Sequence, residues 1–143
     1  MGLRKGIKSD LECIFEIENS VYNNPYWNKK MLEEVLSRKT DNRIWIYELN
    51  NIVIGFVIDL RYSNEANILN IAIAEAFQNK GYGFKMVYDY LNSLPPKCTV
   101  LLEVKKNNYK ALKIYYKLNF RKLNTRKAYY NDGADAVNMI LVN

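Results

Sequence analysis

The sequence predicts a mixed α/β fold in a single domain spanning residues 1–143, and three observations carry that reading. A chain of 143 residues that is 49% hydrophobic holds enough apolar material for one sizeable core and seldom enough for two. Runs rich in Val, Ile, Tyr and Phe alternate with segments whose apolar residues recur every three or four positions, the patterns of strand and helix respectively. No internal repeat, low-complexity stretch or Gly/Ser linker divides the chain, and only Pro95-Pro96 interrupts it sharply.

In chain order, a short strand is expected at residues 3–7. Ser9 with Glu12 then forms a capping-box pattern, and Leu11, Ile14, Phe15 and Val21 supply the stripe of a helix running to about Tyr22. Asn23-Asn24-Pro25-Tyr26-Trp27 breaks the pattern, and Asn28 can cap a second helix through Met31, Leu32, Val35 and Leu36. Residues 44–49 and 52–60 read as a hairpin about Asn50-Asn51, with a third strand at 67–74. Phe84, Val87, Tyr88, Leu91 and Leu94 mark a helix from Gly81 to the prolines. A strand at 99–105, a helix at about 107–118 and a strand pair at 121–128 and 136–142 around Asp132-Gly133 complete the order βααβββαβαββ.

Composition removes several classes of function. The longest uncharged apolar run, residues 52–58, is too short to cross a bilayer, and the basic N-terminus never reaches an apolar signal core, so a soluble cytoplasmic protein without membrane contact is expected. Cys13 and Cys98 are too few for a disulfide framework or a thiolate zinc site and read as inert core residues. The absence of histidine excludes Ser-His-Asp and Cys-His nucleophilic mechanisms and nearly every His-based metal site. No metal is expected, and proton transfer falls to Glu, Asp, Tyr, Lys or water. The net charge of +6 is spread over scattered lysines and arginines without a recognition-helix motif, which reads as a solvated surface and gives no reason to expect a nucleic-acid partner.

Two features carry chemistry. Gln78-Asn79-Lys80-Gly81-Tyr82-Gly83 lies between a strand and a helix, where glycines let backbone N–H groups approach a phosphate, the helix dipole favours its charge and Lys80 adds a cation. It is neither a Walker loop nor a Rossmann fingerprint, since Met86 occupies the third glycine position, and alone it reads equally as a tight turn. Glu103 interrupts the otherwise apolar strand Thr99-Val100-Leu101-Leu102-Glu103-Val104. If that strand is enclosed between helices, a carboxylate there is expensive and points to function, although a solvated face or a lysine partner would also explain it. Asn108 and Tyr115 fall on one face of the following helix with Ala111 and Leu112, where Tyr115 is either core or functional.

Together these residues resemble the GNAT superfamily and, within it, the bacterial ribosomal-protein alanine N-acetyltransferases, over nearly the whole chain. The pattern Gln/Arg-x-x-Gly-x-Gly/Ala falls on Gln78 to Gly83, preceded by Leu69-Asn70-Ile71-Ala72-Ile73. Leu102-Glu103-Val104-Lys105, Asn107-Asn108 and Ile114-Tyr115-Tyr116-Lys117-Leu118-Asn119-Phe120 follow in order and spacing. Pro25-Tyr26-Trp27 and Tyr129-Tyr130 resemble the two substrate-facing loops. Phe84 stands where the family often has Arg, Tyr82 replaces a smaller aliphatic residue, and Asn119 replaces the usual Gly.

The resemblance implies a GNAT fold with an acetyl-CoA cleft where the strands of Ile71 and Glu103 splay apart. Ile71, Ala72 and Ile73 would hold the pantetheine and polarise the thioester, amides of Asn79, Lys80, Gly81, Tyr82, Gly83 and Phe84 would bind the pyrophosphate, and Asn108 would contact the cofactor. Glu103 would be the general base, Tyr115 the general acid, and Tyr26, Trp27, Tyr129 and Tyr130 would hold the acceptor. The implied acceptor is a protein N-terminus, an alanine of a ribosomal protein, with direct transfer and no acyl-enzyme. A small amine or a lysine side chain is the alternative acceptor; a non-catalytic acyl-CoA-binding module is the alternative class.

Overall fold

The computed structural model describes residues 2–22 and 25–142; Asn23 and Asn24, which the sequence assigns to the break between the first two helices, lie outside the described residues. The elements are β1 (Gly2–Lys5), α1 (Leu11–Val21), α2 (Lys29–Leu36), β2 (Asn42–Leu49), β3 (Ile52–Tyr62), β4 (Glu65–Ile73), α3 (Tyr82–Asn92), β5 (Thr99–Lys105), α4 (Tyr109–Lys117), β6 (Arg121–Arg126) and β7 (Ala136–Val142). Short 3-10 turns at Lys8–Asp10 and Glu75–Phe77 are added to the expected order. The strands form a mixed seven-stranded sheet in the order β1-β2-β3-β4-β5-β7-β6. Two compact units make up the chain, Met1–Leu60 with Asn70–Ser93, and Arg61–Leu69 with Leu94–Asn143.

In the first unit, Ile14 and Ile17 of α1 and Leu32, Val35 and Leu36 of α2 pack with Ile44, Ile46, Phe56 and Ile58 of the β2–β3 hairpin. Asn28 caps α2 as the sequence suggests, its Oδ1 accepting the Met31 N–H at 2.9 Å. The hairpin turns at Asn50 and Asn51, both at positive φ, which asparagine tolerates and a two-residue hairpin loop requires. Helix α3 is tied to the sheet by polar bridges: the Tyr47 hydroxyl donates to Asp89 at 2.9 Å, and the fully buried Asp59 accepts from Tyr90 at 2.5 Å and Trp45 at 3.0 Å.

The start of α1 departs from expectation. Its N-cap is Asp10, with no side-chain cap, so the Ser9–Glu12 box does not form. The Asp10 carboxylate accepts from both terminal guanidinium nitrogens of Arg4 at 2.9 Å and from the Ile7 N–H at 2.8 Å, which fixes the approach to the helix from β1, while Glu12 pairs with Lys29 of α2. Arg4 also pairs with Glu48 of β2. Cys13 is exposed rather than core, because Ile14 and Ile17 take the inner face of α1; Cys98 is buried as expected.

In the second unit, β5 pairs antiparallel with β7 along its whole length, from Thr99↔Val142 to Lys105↔Ala136. Its parallel ladder with β4 runs only from Glu65↔Thr99 to Ile68↔Leu102, although both strands continue. Val100, Leu102 and Val104 are buried, whereas Leu101 is only partly buried and Glu103 is exposed. The expectation of an enclosed strand is thereby corrected: β5 buries one face, and its period of two turns Glu103 to the other. Helix α4 begins one residue after Asn108 and ends at Lys117 with Leu118 as its C-cap; Asn119, next along, has a φ of 72°, the left-handed conformation that asparagine accommodates just past a helix end.

The Arg4–Asp10 fork yields a stability prediction. Arg4 and the Ile7 N–H favour ionised Asp10 and hold its carboxyl below its ordinary value of 3.8. A depressed native value means that the contribution is full above the ordinary value and is lost as pH falls through the native one. Asp10→Asn should therefore cost about 1–2 kcal/mol at pH 7 in urea unfolding, the part-exposed Arg4 limiting the loss, and the gap from wild type should close toward pH 2.

Candidate functional site

In the first unit, the end of β4 is held by side chains. The Tyr22 hydroxyl donates to the Ile71 carbonyl at 2.5 Å and the Gln78 amide donates to the Ile73 carbonyl at 2.9 Å. In a regular strand each residue's N–H points to the same edge as its C=O, so the N–H groups of Ile71 and Ile73 share the edge that these side chains reach, and Ala72 faces the other. The stretch is packed tightly from β3: a Cβ on Gly55 would lie 2.8 Å from the Ala72 carbonyl oxygen and 2.7 Å from the Ile73 side chain, which only glycine avoids.

The loop that follows is shaped by two left-handed residues, Asn79 at φ 62° and Gly81 at φ 86°. Gly81 is the N-cap of α3, with no capping side chain, and its carbonyl accepts the first intrahelical bond from Lys85 at 3.2 Å. The N–H groups of Tyr82, Gly83 and Phe84 in the first turn have no acceptor within the helix, at the positive end of its dipole. A Cβ on Gly81 would meet nothing within 4 Å, so the glycine answers to backbone conformation rather than to packing. The Lys80 ammonium turns back onto the Ala76 carbonyl at 3.2 Å, while Phe77 meets Tyr82 edge-on.

Between α1 and α2, Trp27 is buried at 7% exposure and Tyr26 is displayed at 76%, their rings edge to face at 5.8 Å. Glu18 of α1 is 1% exposed and accepts from the Asn70 amide at 2.7 Å and from the Trp27 backbone N–H. Burial raises its carboxyl above the usual range, and the two donors only partly offset this.

In the second unit, the charge of Glu103 reaches Tyr130. The Tyr130 phenol is pushed up to about 12, first by burial and then by the negative charge of Glu103, with Tyr129 and Asp132 adding to it. The 127–135 loop is pinned to the end of β5: Lys105 binds Asp132 at 2.9 Å and lies 5.1 Å from the centre of the Tyr130 ring, which meets Tyr129 edge-on at 5.3 Å. Asp135 accepts the Ala128 N–H at 2.8 Å. Tyr115 is 7% exposed, packed edge-on against Phe120 at 5.6 Å, and burial raises its phenol far above the ordinary value. Among the described residues, no hydrogen bond engages its hydroxyl and none joins it to Glu103. Asn108 is the N-cap of α4; its Oδ1 accepts the Ala111 N–H at 3.2 Å, which turns that oxygen to the helix.

With this geometry in place, residues 8–120 match the acetyltransferase (GNAT) family. The chain belongs to that family. The enzyme class inferred from the sequence, an acetyl-CoA-dependent N-acetyltransferase, therefore stands. Among related proteins, the chain is 32% identical to a ribosomal protein bS18-alanine N-acetyltransferase of Haemophilus ducreyi, over 87% of this chain and 85% of that one. It is 28% identical to an N-alpha-acetyltransferase of Sulfolobus acidocaldarius, over 94% and 88%. The crystal structure of the ribosomal-protein-S18-alanine N-acetyltransferase from Escherichia coli superposes with a TM-score of 0.85 at 25% identity, covering 98% of this chain and 92% of that one.

Sequence reasoning missed Glu18, Tyr22, Asn70 and Gly55. Glu18 carried a signal, since it lies four residues from Ile14 on the apolar stripe of α1, where a solvated glutamate does not belong. No helix among the described residues is long and apolar enough to cross a membrane. Among the same residues no cluster of three or more acidic or cysteine side chains could hold a metal ion.

The left-handed Gly81 gives a prediction that is independent of ligand. Gly81→Val should destabilise the protein by about 1–2 kcal/mol, whereas Gly81→Asn should cost only a fraction of that, because asparagine accepts a positive φ and the space is open. Denaturant midpoints of the two variants test it.

Proposed function

We propose that the enzyme transfers the acetyl group of acetyl-CoA to the α-amine of a protein N-terminus, an alanine of a ribosomal protein being the favoured acceptor. The observation that carries the reading is that the exposed carboxylate of Glu103 acts through its charge on Tyr130, in an aromatic loop that Lys105 and Asp132 hold in place. The alanine N-acetyltransferases among its relatives support the choice of acceptor. Proton affinity favours it too, because an α-amine titrating at about 7.7–8.0 is roughly a tenth neutral at pH 7, whereas a lysine near 10.4 is neutral in fewer than about one molecule in a thousand.

The fit of acetyl-CoA to this chain rests on the first unit. The amides of Tyr82 and Gly83 at the start of α3 suit a pyrophosphate, and the N–H groups of Ile71 and Ile73 form a donor edge whose carbonyls are already engaged, suited to the pantetheine and the thioester oxygen. Asn79 and Lys80 shape the approach to these amides, and the amide of Asn108 would add a donor to the cofactor. When bound, the thioester supplies the acetyl group. Glu103, through water, accepts the proton that the amine nitrogen loses as the C–N bond forms, and Tyr115, kept protonated by burial, gives its proton to the sulfur as the C–S bond breaks. The proton gained by Glu103 and the one lost by Tyr115 balance, and solvent resets both. Tyr26, Trp27, Tyr129 and Tyr130 hold the peptide. The protein acts in the cytoplasm, with no membrane or nucleic-acid partner.

Free-thiol release with a matched panel tests the acceptor: peptides beginning Ala, Ser, Met and Glu, a blocked peptide with an internal lysine, a polyamine and an aminoglycoside. The alanine peptide should turn over fastest; a faster blocked peptide or small amine would reassign the acceptor. Glu103→Gln should lower kcat roughly a hundredfold with acetyl-CoA affinity nearly intact, as expected for loss of a general base. Tyr115→Phe should also slow turnover while leaving the melting temperature near that of wild type, since the ring still packs on Phe120. A stability loss with the rate preserved would return Tyr115 to the core.

A further inference from the structure

A carboxylate at 1% exposure on a helix whose other buried residues are Ile14 and Ile17 is costly, and a core built for stability alone would place an apolar side chain there. Glu18 nevertheless occupies that position, and its two partners come from separate parts of the first unit. The Asn70 amide belongs to β4, immediately before Ile71. The Trp27 N–H belongs to the turn that displays Tyr26. Just past the end of α1, Tyr22 donates to the Ile71 carbonyl, so Glu18 and Tyr22 fasten the C-terminal end of this helix to consecutive residues of β4. At 1% exposure Glu18 cannot receive an acceptor's ammonium, and any influence it has on that group passes through the residues it holds.

We infer that Glu18 is a positioning residue for the acceptor: its carboxylate clamps the backbone of Trp27 to Asn70 and so sets where Tyr26 and Trp27 meet the incoming peptide, relative to the cofactor-holding end of β4. This inference rests on the proposed role of the Tyr26–Trp27 turn in acceptor binding. What the clamp requires is an acceptor atom, not a charge. A glutamine at position 18 keeps an oxygen for the Trp27 N–H, and the facing Asn70 amide can turn to offer its own oxygen to the new NH2 group. Alanine keeps neither.

The test compares Glu18→Ala, Glu18→Gln and Asn70→Ala in the full chain, measuring KM and kcat for the best acceptor of the panel, acetyl-CoA affinity by calorimetry, and hydrogen exchange at the Trp27 amide. Glu18→Ala should raise the acceptor KM at least about tenfold and speed exchange at Trp27, with a smaller effect on acetyl-CoA affinity, because a misplaced acceptor loses productive alignment. Glu18→Gln should return KM to within about threefold of wild type, and Asn70→Ala should shift it in the same direction as alanine at 18 by a smaller factor. A folded Glu18→Ala with wild-type acceptor KM overturns the inference, as does equal impairment by Gln and Ala, or faster exchange at Trp27 without any change in KM. If Glu18→Ala does not fold, Asn70→Ala decides, and a wild-type KM there also overturns it. Failure of the peptide reading shows separately, as wild-type turnover of a small amine but of no peptide; the series is then run with that amine.

Discussion

Where two parallel strands part, each loses hydrogen-bond partners along the edge that faced the other, and the fold must supply replacements or leave the groups to a ligand. The β4–β5 ladder ends at Ile68 and Leu102 while both strands run on. Much of the first unit can be understood from how β4 is then satisfied. The carbonyls of Ile71 and Ile73 are answered by Tyr22 and Gln78, and Asn70 is engaged by Glu18. This places α1 over the strand end and draws in the loop that starts α3. The edge is left rich in donors, the character that a thioester oxygen asks of its surroundings.

Much of this organisation was legible in the sequence. Element order followed from periodicity, because β-branched runs and amphipathic stripes in this chain are long and separated by turn residues that can do little else, such as Asn50-Asn51 and Asn119. β5 and β7 were bounded at their observed residues. The capping box at Ser9 and Glu12 failed because a local motif competed with a charged partner six residues upstream: Arg4 holds Asp10, and Asp10 becomes the N-cap. Glu103 was singled out for a reason that does not hold, its supposed burial, although its charge does reach Tyr130, in the loop that the resemblance marks as substrate-facing. Whether a strand buries one face or two depends on what covers it, and pattern alone does not contain that.

Glu18, Tyr22 and Gly55 stayed hidden for a different reason. Each matters through a contact distant in sequence: Glu18 with Asn70, Tyr22 with Ile71, and Gly55 against Ala72 and Ile73. A tyrosine at a helix end and a glycine in a strand are unremarkable on their own, and only the glutamate broke the local pattern. All three converge on residues 70–73, which the sequence had marked from their other side. The same four residues thus sit between a packing constraint from β3, a polar constraint from α1 and the thioester chemistry they are proposed to serve.

Cys13 has a consequence of a practical kind. It is the exposed member of the two cysteines, on the outer face of α1, while Cys98 is shielded. A maleimide dye should therefore couple at one position without mutagenesis. It would sit on the helix that carries Glu18 on its inner face, giving a fluorescent reporter of α1 as ligands arrive. The same thiol would titrate alongside released CoA in any assay that reads free sulfhydryls, adding a fixed background of one equivalent per chain unless it is first alkylated or replaced by serine.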